Sequence, residues 1–195
     1  VAVARDSEGA WRLMLNGSPV FHLGLLDQGW WPEGLYTAPT DGALRWDIEK
    51  TLEMGFNMAR KHVKVEPARW YWHADRLGVL VWQDMPTGSD RDASRFTQIL
   101  DQAGDFFSAH LFGSEGARLE RSPESAGHFR RELSSMVTGL QTFPSIVAWV
   151  PFNEAWGQFD TDKILAEVGA LDPTRLVDGP SGWTDTGTGD MRDLH

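Results

Sequence analysis

The amino-acid sequence predicts an α/β fold with a parallel β-sheet, on three observations. Short apolar segments alternate about five times with segments of helical period. The segments VLVWQDM (79–85) and SIVAWVPF (145–152) contain continuous apolar runs, as expected for strands that are covered on both faces. Polar side chains follow the ends of several apolar segments. Together these features indicate strands with helices packed on both sides.

The elements can be placed in order along the chain. The dipeptide Asn16-Gly17 predicts a hairpin turn within residues 11–25. Thr40 or Asp41 can cap a first helix that runs to about Gly55 and carries an apolar stripe. The remaining predictions are a loop at 26–40, strands at 56–62, 79–85, 145–152, 175–180 and 193–195, and helices at 67–78, about 92–108, 122–140 and 160–171.

Composition excludes several classes of function. The 195 residues carry a formal net charge of −10 without a Lys/Arg-rich block, which argues against nucleic acid as a partner. There are no cysteines, which excludes disulfides, thiolate zinc sites and cysteine nucleophiles. No apolar run approaches the ~20 residues of a membrane span, and the first residues lack the apolar core of a signal peptide. The six histidines are scattered without H-E-x-x-H, so neither a metal nor another cofactor is predicted.

The polar residues at strand ends distinguish between two parallel architectures. A doubly wound sheet usually carries a Gly-rich phosphate loop after its first strand, and neither G-x-G-x-x-G nor a Walker A sequence occurs. In a (β/α)8 barrel (TIM barrel), the active face is built from residues at the carboxyl ends of many strands. We therefore predict such a barrel. The strand-end residues are Arg60, His62, Gln83, Asp84, Asn153, Glu154, Asp178, Asp193 and His195.

The length of the chain bears on its domain organisation. A (β/α)8 barrel typically needs ~250 residues, and this chain stops at about its sixth predicted strand. We expect residues 20–195 to be the N-terminal part of a catalytic barrel. Residues 1–19 are expected to be a lead-in hairpin or a linker from a preceding domain.

Five segments match, in order and spacing, a pattern known from one enzyme family. These segments are LMLNGSPVFHLG (13–24), GFNMARKH (55–62), ADRLGVLVWQDMP (74–86), PSIVAWVPFNEAWG (144–157) and DLH (193–195). The pattern resembles glycoside hydrolase family 2, the group of β-galactosidases, β-glucuronidases and β-mannosidases. In that family the second strand ends in Arg-x-His and the fourth ends in Asn-Glu. The resemblance covers roughly residues 11–195 and implies a retaining β-glycosidase.

The resemblance implies a role for the Asn-Glu pair. Retaining glycosidases use two carboxyl groups about 5–5.5 Å apart, one as acid/base and one as nucleophile. Glu154 is expected to be the general acid/base, because partial burial keeps such a carboxyl protonated near neutral pH. Asn153 is expected to bind the sugar 2-hydroxyl, and the nucleophile is expected beyond residue 195. Alternatively, Glu154 pairs with a base such as Arg60 or caps the following turn.

Further side chains are candidates for binding the sugar. Arg60 and His62 could bind hydroxyls or hold the carboxylates in place. Asp84 departs from the family pattern, which has a Glu near this point, but it could orient Arg60 or bind substrate. Loop tryptophans are suited to stacking on sugar rings. The predicted substrate-binding residues are Asn153, Arg60, His62, Asp84, Trp156, Trp183 and His195.

Two other functions remain open at this stage. An inverting glycosidase would use Glu154 with Asp84 or Asp178, at a carboxyl separation of ~6.5–9.5 Å. In a non-catalytic carbohydrate-binding protein, the loop tryptophans would stack on sugars and the acidic groups would only form hydrogen bonds. Both share a carbohydrate as the partner, and the sequence leaves a homo-oligomer open. The sequence does not indicate the sugar, the linkage or the cellular compartment.

Overall fold

The computed structural model describes residues 1–86, 121–153, 158–179 and 186–194 of the 195-residue chain. The predicted helix at 92–108 lies outside this part. The described strands are β1 Ala2–Arg5, β2 Trp11–Leu15, β3 Ser18–Pro19, β4 Gly24–Asp27, β5 Met58–Lys61, β6 Leu80–Asp84, β7 Ile146–Val150 and β8 Leu176–Val177. The described helices are α1 Asp41–Glu53, α2 Ala68–Leu77, α3 Pro123–Leu140 and α4 Thr161–Leu171.

The first three strands form a small antiparallel sheet in the order β1-β2-β3. The turn between β2 and β3 has Asn16 at φ 51° and Gly17 at φ 83°. Two successive positive φ angles define the tight hairpin turn that an Asn-Gly pair favours. The predicted hairpin is therefore confirmed. The assignment of residues 1–19 to a lead-in from a preceding domain stays a prediction.

The other five strands form a parallel sheet in the order β4-β5-β6-β7-β8. A described helix lies in the chain between each pair of neighbouring strands, α1 to α4 in turn. Strands that pair in chain order with a helix after each are the repeating unit of a (β/α)8 barrel. All five residues of β7 are buried, as its continuous apolar run predicts.

The helices begin and end where the sequence predicts. Thr40 caps α1, since its side-chain oxygen accepts a hydrogen bond from the backbone N–H of Ala43 at 3.0 Å. Ser122 caps α3 in the same way, with Pro123 in the first turn. Gly78 ends α2 in the left-handed conformation, at φ 85°.

The helices bury their apolar stripes against the sheet. Ile48 of α1, Val137 of α3 and Ile164 of α4 are fully or almost fully buried. Between the sheet and α3, Phe129 stacks on Phe152 with a ring-centroid distance of 5.3 Å. Burying a side chain of this size stabilises a fold by about 1.5–3 kcal/mol. This packing fixes the strands, and with them the residues at their carboxyl ends.

Several predicted elements differ from the structure in their bounds. The predicted strand at 175–180, for example, is reduced to Leu176–Val177. The predicted loop at 26–40 begins later, because β4 extends to Asp27. The predicted strand at 56–62 is reduced to Met58–Lys61. Asp193 and Leu194 do not form a strand; Met191 instead makes a parallel bridge to Asp178, so the chain reaches the sheet before residue 193. Within the described residues, no helix is long and apolar enough to cross a membrane.

Candidate active site

Polar side chains from three neighbouring strands converge at the carboxyl end of the sheet. Arg60 of β5 pairs in register with Trp82 of β6, and Asp84 lies two residues further on the same face. The guanidinium of Arg60 donates from Nε to Asp84 Oδ1 at 2.8 Å and from Nη2 to Oδ2 at 3.1 Å. Its Nη2 also donates to Oδ1 of Asn153, just after β7, at 2.9 Å. Arg60, Asp84 and Asn153 therefore lie together at the carboxyl end of the sheet, as expected for a barrel.

Asp84 is fully buried and serves as the counter-ion of Arg60. Burial raises the pKa of Asp84, and the contacts with Arg60 and the backbone N–H of Val63 oppose this rise. Val63 donates at 3.2 Å and has an unusual left-handed φ of 45°. Arg60 and the backbone N–H of Val63 place three hydrogen bonds on the carboxylate, which favours its ionised form beside the guanidinium. Burial also lowers the pKa of Arg60, but Asp84 outweighs it and the net shift is upward.

His62 links the end of β5 to Asn153. Its Nε2 lies 3.1 Å from Oδ1 of Asn153, and its Nδ1 lies 2.9 Å from Nε2 of Gln28. An amide nitrogen only donates, so Nδ1 is the acceptor and the ring proton is assigned to Nε2. Oδ1 of Asn153 therefore accepts from both Arg60 and His62. The two N–H groups of the Asn153 amide lie on its opposite branch.

Asp178, at the end of β8, is a buried carboxyl of a different kind. It is 1% exposed, and within the described part of the chain neither oxygen accepts a hydrogen bond of ordinary length and angle. Burial raises its pKa to about 7; Asp193 adds to the shift and Arg60 opposes it. Asp178 and Asp193 line a cavity of ≈ 350 Å³ together with Trp82. Near neutral pH Asp178 is therefore about half protonated, whereas Asp84 is paired with Arg60.

Gln83 was expected among the strand-end polar residues but lies on the opposite face of β6. Its amide donates to the carbonyls of Lys64 and Asp84, both at 2.7 Å, and accepts from the Tyr71 hydroxyl at 2.6 Å. Successive side chains of a strand point to opposite faces, so Gln83 and Asp84 cannot share one site. Gln83 instead holds the loop after β5 against α2.

A buried ionic cluster beside the site was missed by the sequence prediction. We call Asp27, Lys61, Lys64 and Glu66 the lysine cluster. The ammonium of Lys61 lies 2.8 Å from Asp27 Oδ2 and 2.9 Å from Glu66 Oε1. Lys64 lies 2.9 Å from the same Oε1 and donates to the carbonyl of Gly29 at 2.5 Å. Both ammonium groups are removed from water, so their charges depend on these partners.

The surroundings of the lysine cluster are aromatic and acidic. Lys61 lies 4.4 Å from the ring centre of Trp70, and Lys64 lies 4.6 Å from that of Tyr36. Burial raises the pKa of the nearby Asp47 to about 6, with Asp27 adding to the shift. The signal for this cluster was present in the sequence. Helices cover one face of the strand that contains Lys61, and the site covers the other. The side chain of a lysine inside such a strand cannot reach water.

Several predicted residues cannot be placed. Glu154, Trp156, Trp183 and His195 lie outside the described residues. Among the loop tryptophans that are described, Trp30 is 61% exposed and its ring meets Tyr36 edge-on at 5.2 Å. In the described ranges, no group of three or more His, Asp or Glu residues could hold a metal ion.

Comparison with known protein families identifies the family of this chain. The model of one protein family, described as "Glycosyl hydrolases family 2, TIM barrel domain", matches residues 37–190, which is most of the chain. The chain belongs to glycoside hydrolase family 2. The match covers the segments that carry Arg60, Asp84, Asn153 and Asp178. No curated protein sequence matches the chain significantly.

Solved structures resemble this family 2 chain in fold. A glycosyl hydrolase family 2 member from Bacteroides cellulosilyticus has a TM-score of 0.64 at 20% identity, over 95% of this chain and 21% of its own. The β-glucuronidase of Parabacteroides merdae has a TM-score of 0.59 at 18% identity, over 90% and 20%. An exo-β-D-glucosaminidase has a TM-score of 0.60 at 19% identity, over 91% and 19%. The chain thus spans about a fifth of the length of these proteins.

Proposed function

We propose that the intact protein is a retaining β-glycosidase that hydrolyses O-glycosidic bonds, with Glu154 as the general acid/base. Membership of glycoside hydrolase family 2 supports this proposal. The observation that carries it is the double hydrogen bond from Arg60 and His62 to Oδ1 of Asn153. A side chain that precedes the proposed acid/base by one residue is thereby held in one orientation.

The orientation of Asn153 suits a sugar ligand. Its oxygen accepts from two protein donors, so the N–H groups of the amide point away from Arg60 and His62. A glycosidase needs a donor of this kind at the sugar 2-hydroxyl, where the hydrogen bond strengthens in the transition state. We assign Asn153 to that contact. Trp156 would wall the same subsite, and Trp183 and His195 would contribute further contacts.

Arg60 and Asp84 form a rigid ion pair that supports this site. The pair is bidentate, and Asp84 is already committed to donors from Arg60 and Val63. Asp84 is therefore better suited to holding Arg60 than to activating water. The second carboxylate of a retaining pair is proposed to come from a strand beyond residue 195.

The acid/base role predicts a dependence on the leaving group. Replacing Glu154 by glutamine (Glu154→Gln) in the intact protein removes the proton that a poor leaving group needs. We expect kcat/KM for disaccharides and alkyl glycosides to fall about 10²–10⁴-fold. Dinitrophenyl glycosides, which leave without protonation, should lose far less. Steady-state kinetics over a series of aryl and alkyl glycosides measures this difference.

The control is a glutamate of the same charge on the surface. Glu132 of α3 is exposed, and its carboxylate lies 3.3 Å from the ring of the equally exposed His128, one helical turn away. Glu132→Gln should leave both classes of substrate unaffected. Equal losses for good and poor leaving groups in Glu154→Gln would exclude the acid/base role.

A non-catalytic carbohydrate-binding protein is the second candidate, favoured by the exposed Trp30 ring beside Tyr36. Sugar binding by the intact protein without turnover, unchanged in Glu154→Gln, would establish this alternative. An inverting glycosidase would instead pair Glu154 with Asp178. A carboxyl separation of ~6.5–9.5 Å between them in a crystal structure would support that mechanism.

A further inference from the structure

The lysine cluster holds the chain on both sides of Gln28. On one side, Lys61 binds the carboxylate of Asp27 at 2.8 Å. On the other side, Lys64 donates to the carbonyl of Gly29 at 2.5 Å. The backbone N–H of His62 also donates to the carbonyl of Asp27 at 2.9 Å. Gln28 itself is exposed, and Nε2 of its side chain lies 2.9 Å from Nδ1 of the His62 ring.

Gly29 shows how closely the backbone packs on the lysine cluster. A Cβ atom at this position would lie 2.4 Å from Oε1 of Glu66 and 2.8 Å from Nζ of Lys64. The φ of Gly29 is +60°, which residues with a side chain rarely adopt. Both facts mean that the path of the chain after Gln28 is set by the cluster.

Stability alone gives no reason for two buried lysines. Removing an ammonium from water costs several kcal/mol, and well-packed apolar side chains of similar volume are often as stable as a buried ion pair. Unlike apolar packing, a buried ion pair fixes which atoms lie next to each other, because its hydrogen bonds are directional. Lys61 and Lys64 share one oxygen of Glu66 and reach outward to the two neighbours of Gln28.

We propose that the lysine cluster and Gln28 are a positioning device for the Asn153 amide. The cluster keeps the amide of Gln28 on Nδ1 of His62. That contact leaves the ring proton on Nε2, where it reaches Oδ1 of Asn153. Lys61, Lys64, Glu66 and Gln28 thus act through His62. The role given to Asn153 rests on the proposed glycosidase function, whereas the positioning concerns this chain's own contacts.

Loss of the device has a defined chemical consequence. Without a donor at Nδ1, His62 can carry its proton there and turn a lone pair on Nε2 toward Oδ1 of Asn153. Two acceptors then face each other, so Oδ1 of Asn153 keeps the donor from Arg60 but loses the donor from His62. The amide is then held by one donor instead of two and can shift away from Nε2. The contact proposed for the sugar 2-hydroxyl would be displaced.

The test uses Gln28→Ala, Lys64→Met and the double variant in the intact protein. We expect each single variant to lower kcat for an aryl glycoside about 10- to 100-fold, as small displacements near reacting groups do. KM should change much less, because the residues do not touch the substrate. The double variant should be no slower than the slower single variant, because both changes interrupt the same relay.

Lys50→Met is the matched control. Lys50 also pairs with a glutamate, Glu53, and lies 5.7 Å from the ring centre of Trp46, but on the exposed side of α1. Its removal should leave kcat unchanged. Additive losses in the double variant, or normal kinetics in Gln28→Ala, would overturn the proposal. If Lys64→Met does not fold, Lys64→Met combined with Glu66→Gln removes one charge of each sign and carries the same expectation.

Crystal structures of the variants give a second readout that does not need turnover. In Lys64→Met, or in the charge-matched double variant, Nε2 of Gln28 should lie beyond hydrogen-bond distance of Nδ1 of His62. An unchanged 2.9 Å contact would overturn the positioning role, whatever the kinetics. If the intact protein hydrolyses no aryl glycoside, the proposed function fails, and the structures alone decide whether the lysine cluster holds Gln28.

Discussion

Asp178 shows how burial changes the titration of a single carboxyl group. An Asp carboxyl in an unfolded chain has a pKa near 3.8, and burial raises the pKa of Asp178 in the folded chain to about 7. Between these values the unfolded chain releases a proton that the folded chain keeps. Stability therefore falls as pH rises from about 4 to about 7, and this contribution is constant above that range.

Asp178→Asn removes the titration while nearly conserving shape. Near pH 4 we expect the variant and the parent protein to have the same free energy of unfolding. As pH rises, the variant should become more stable than the parent, by about 1–4 kcal/mol above pH 7. Urea unfolding of the intact protein at several pH values measures the difference. Glu33→Gln, an equal change of charge at an exposed loop residue, should give no such trend. A constant difference at every pH would contradict the titration.

The strand-end rule predicted part of the site from the sequence. Arg60, His62, Asp84 and Asn153 were identified because carboxyl ends of parallel strands meet at one edge. Gln28 could not be found in this way, since it follows a strand whose end the sequence did not show.

Lys61 and Lys64 were missed for another reason. A lysine is usually solvated. Only the place of Lys61 between Arg60 and His62 in a covered strand indicates burial, and Lys64 lies beyond that strand. Prediction from residue type therefore identified the side chains that face the site and missed those that support it from behind.

At the scale of elements, one arginine fastens the end of the sheet opposite the site. Arg175, just before β8, donates to the carbonyl of Ile146 at 2.8 Å and that of Gln141 at 2.7 Å. It also binds Asp172 at 2.8 Å, and Asp172 accepts from the indole of Trp149 at 3.0 Å. These contacts join α3, β7 and the end of α4.

Arg175→Met should destabilise the fold without altering the chemistry. The change removes the donor to the carbonyls of Ile146 and Gln141 and the charged partner of Asp172, and we expect a loss of about 2–4 kcal/mol in the free energy of unfolding. Steady-state kinetics at a temperature where the variant is folded should be nearly normal, because the residue lies at the amino ends of the strands.

Arg130 supplies the comparison. It also pairs with two carboxylates, Asp160 and Glu167, but at the surface. Exposed pairs contribute about 0–1 kcal/mol, so Arg130→Met should be mild. If both variants lost equal stability by urea unfolding, the contacts of Arg175 with backbone carbonyls would have no special role.

At the scale of the whole molecule, the parallel sheet has an open edge. In the part of the chain that the structure describes, β4 pairs only with β5. Leu26 on β4 is 60% exposed, and Phe21 and Leu23 before it are also exposed. Unpaired backbone and apolar side chains at a sheet edge favour association with another strand.

A polypeptide of residues 1–195 alone is therefore expected to be poorly stable. It should unfold without a cooperative thermal transition, or associate through its open edge, whereas the intact protein should unfold cooperatively. Calorimetry and light scattering on both proteins measure these properties. A sharp thermal transition in a monomeric 1–195 polypeptide would show that the five-stranded sheet is sufficient.

The left-handed backbone at Val63 has a consequence for how this segment can evolve. In a regular strand Lys64 would face away from Lys61, and the kink at φ 45° returns it to the same side. A β-branched residue in this conformation stores about 1–3 kcal/mol of strain. We therefore expect Gly or Asn to be tolerated at position 63. An insertion or deletion between Lys61 and Glu66 would separate the partners of the lysine cluster, so we expect the segment Lys-His-x-Lys-x-Glu to keep a fixed length.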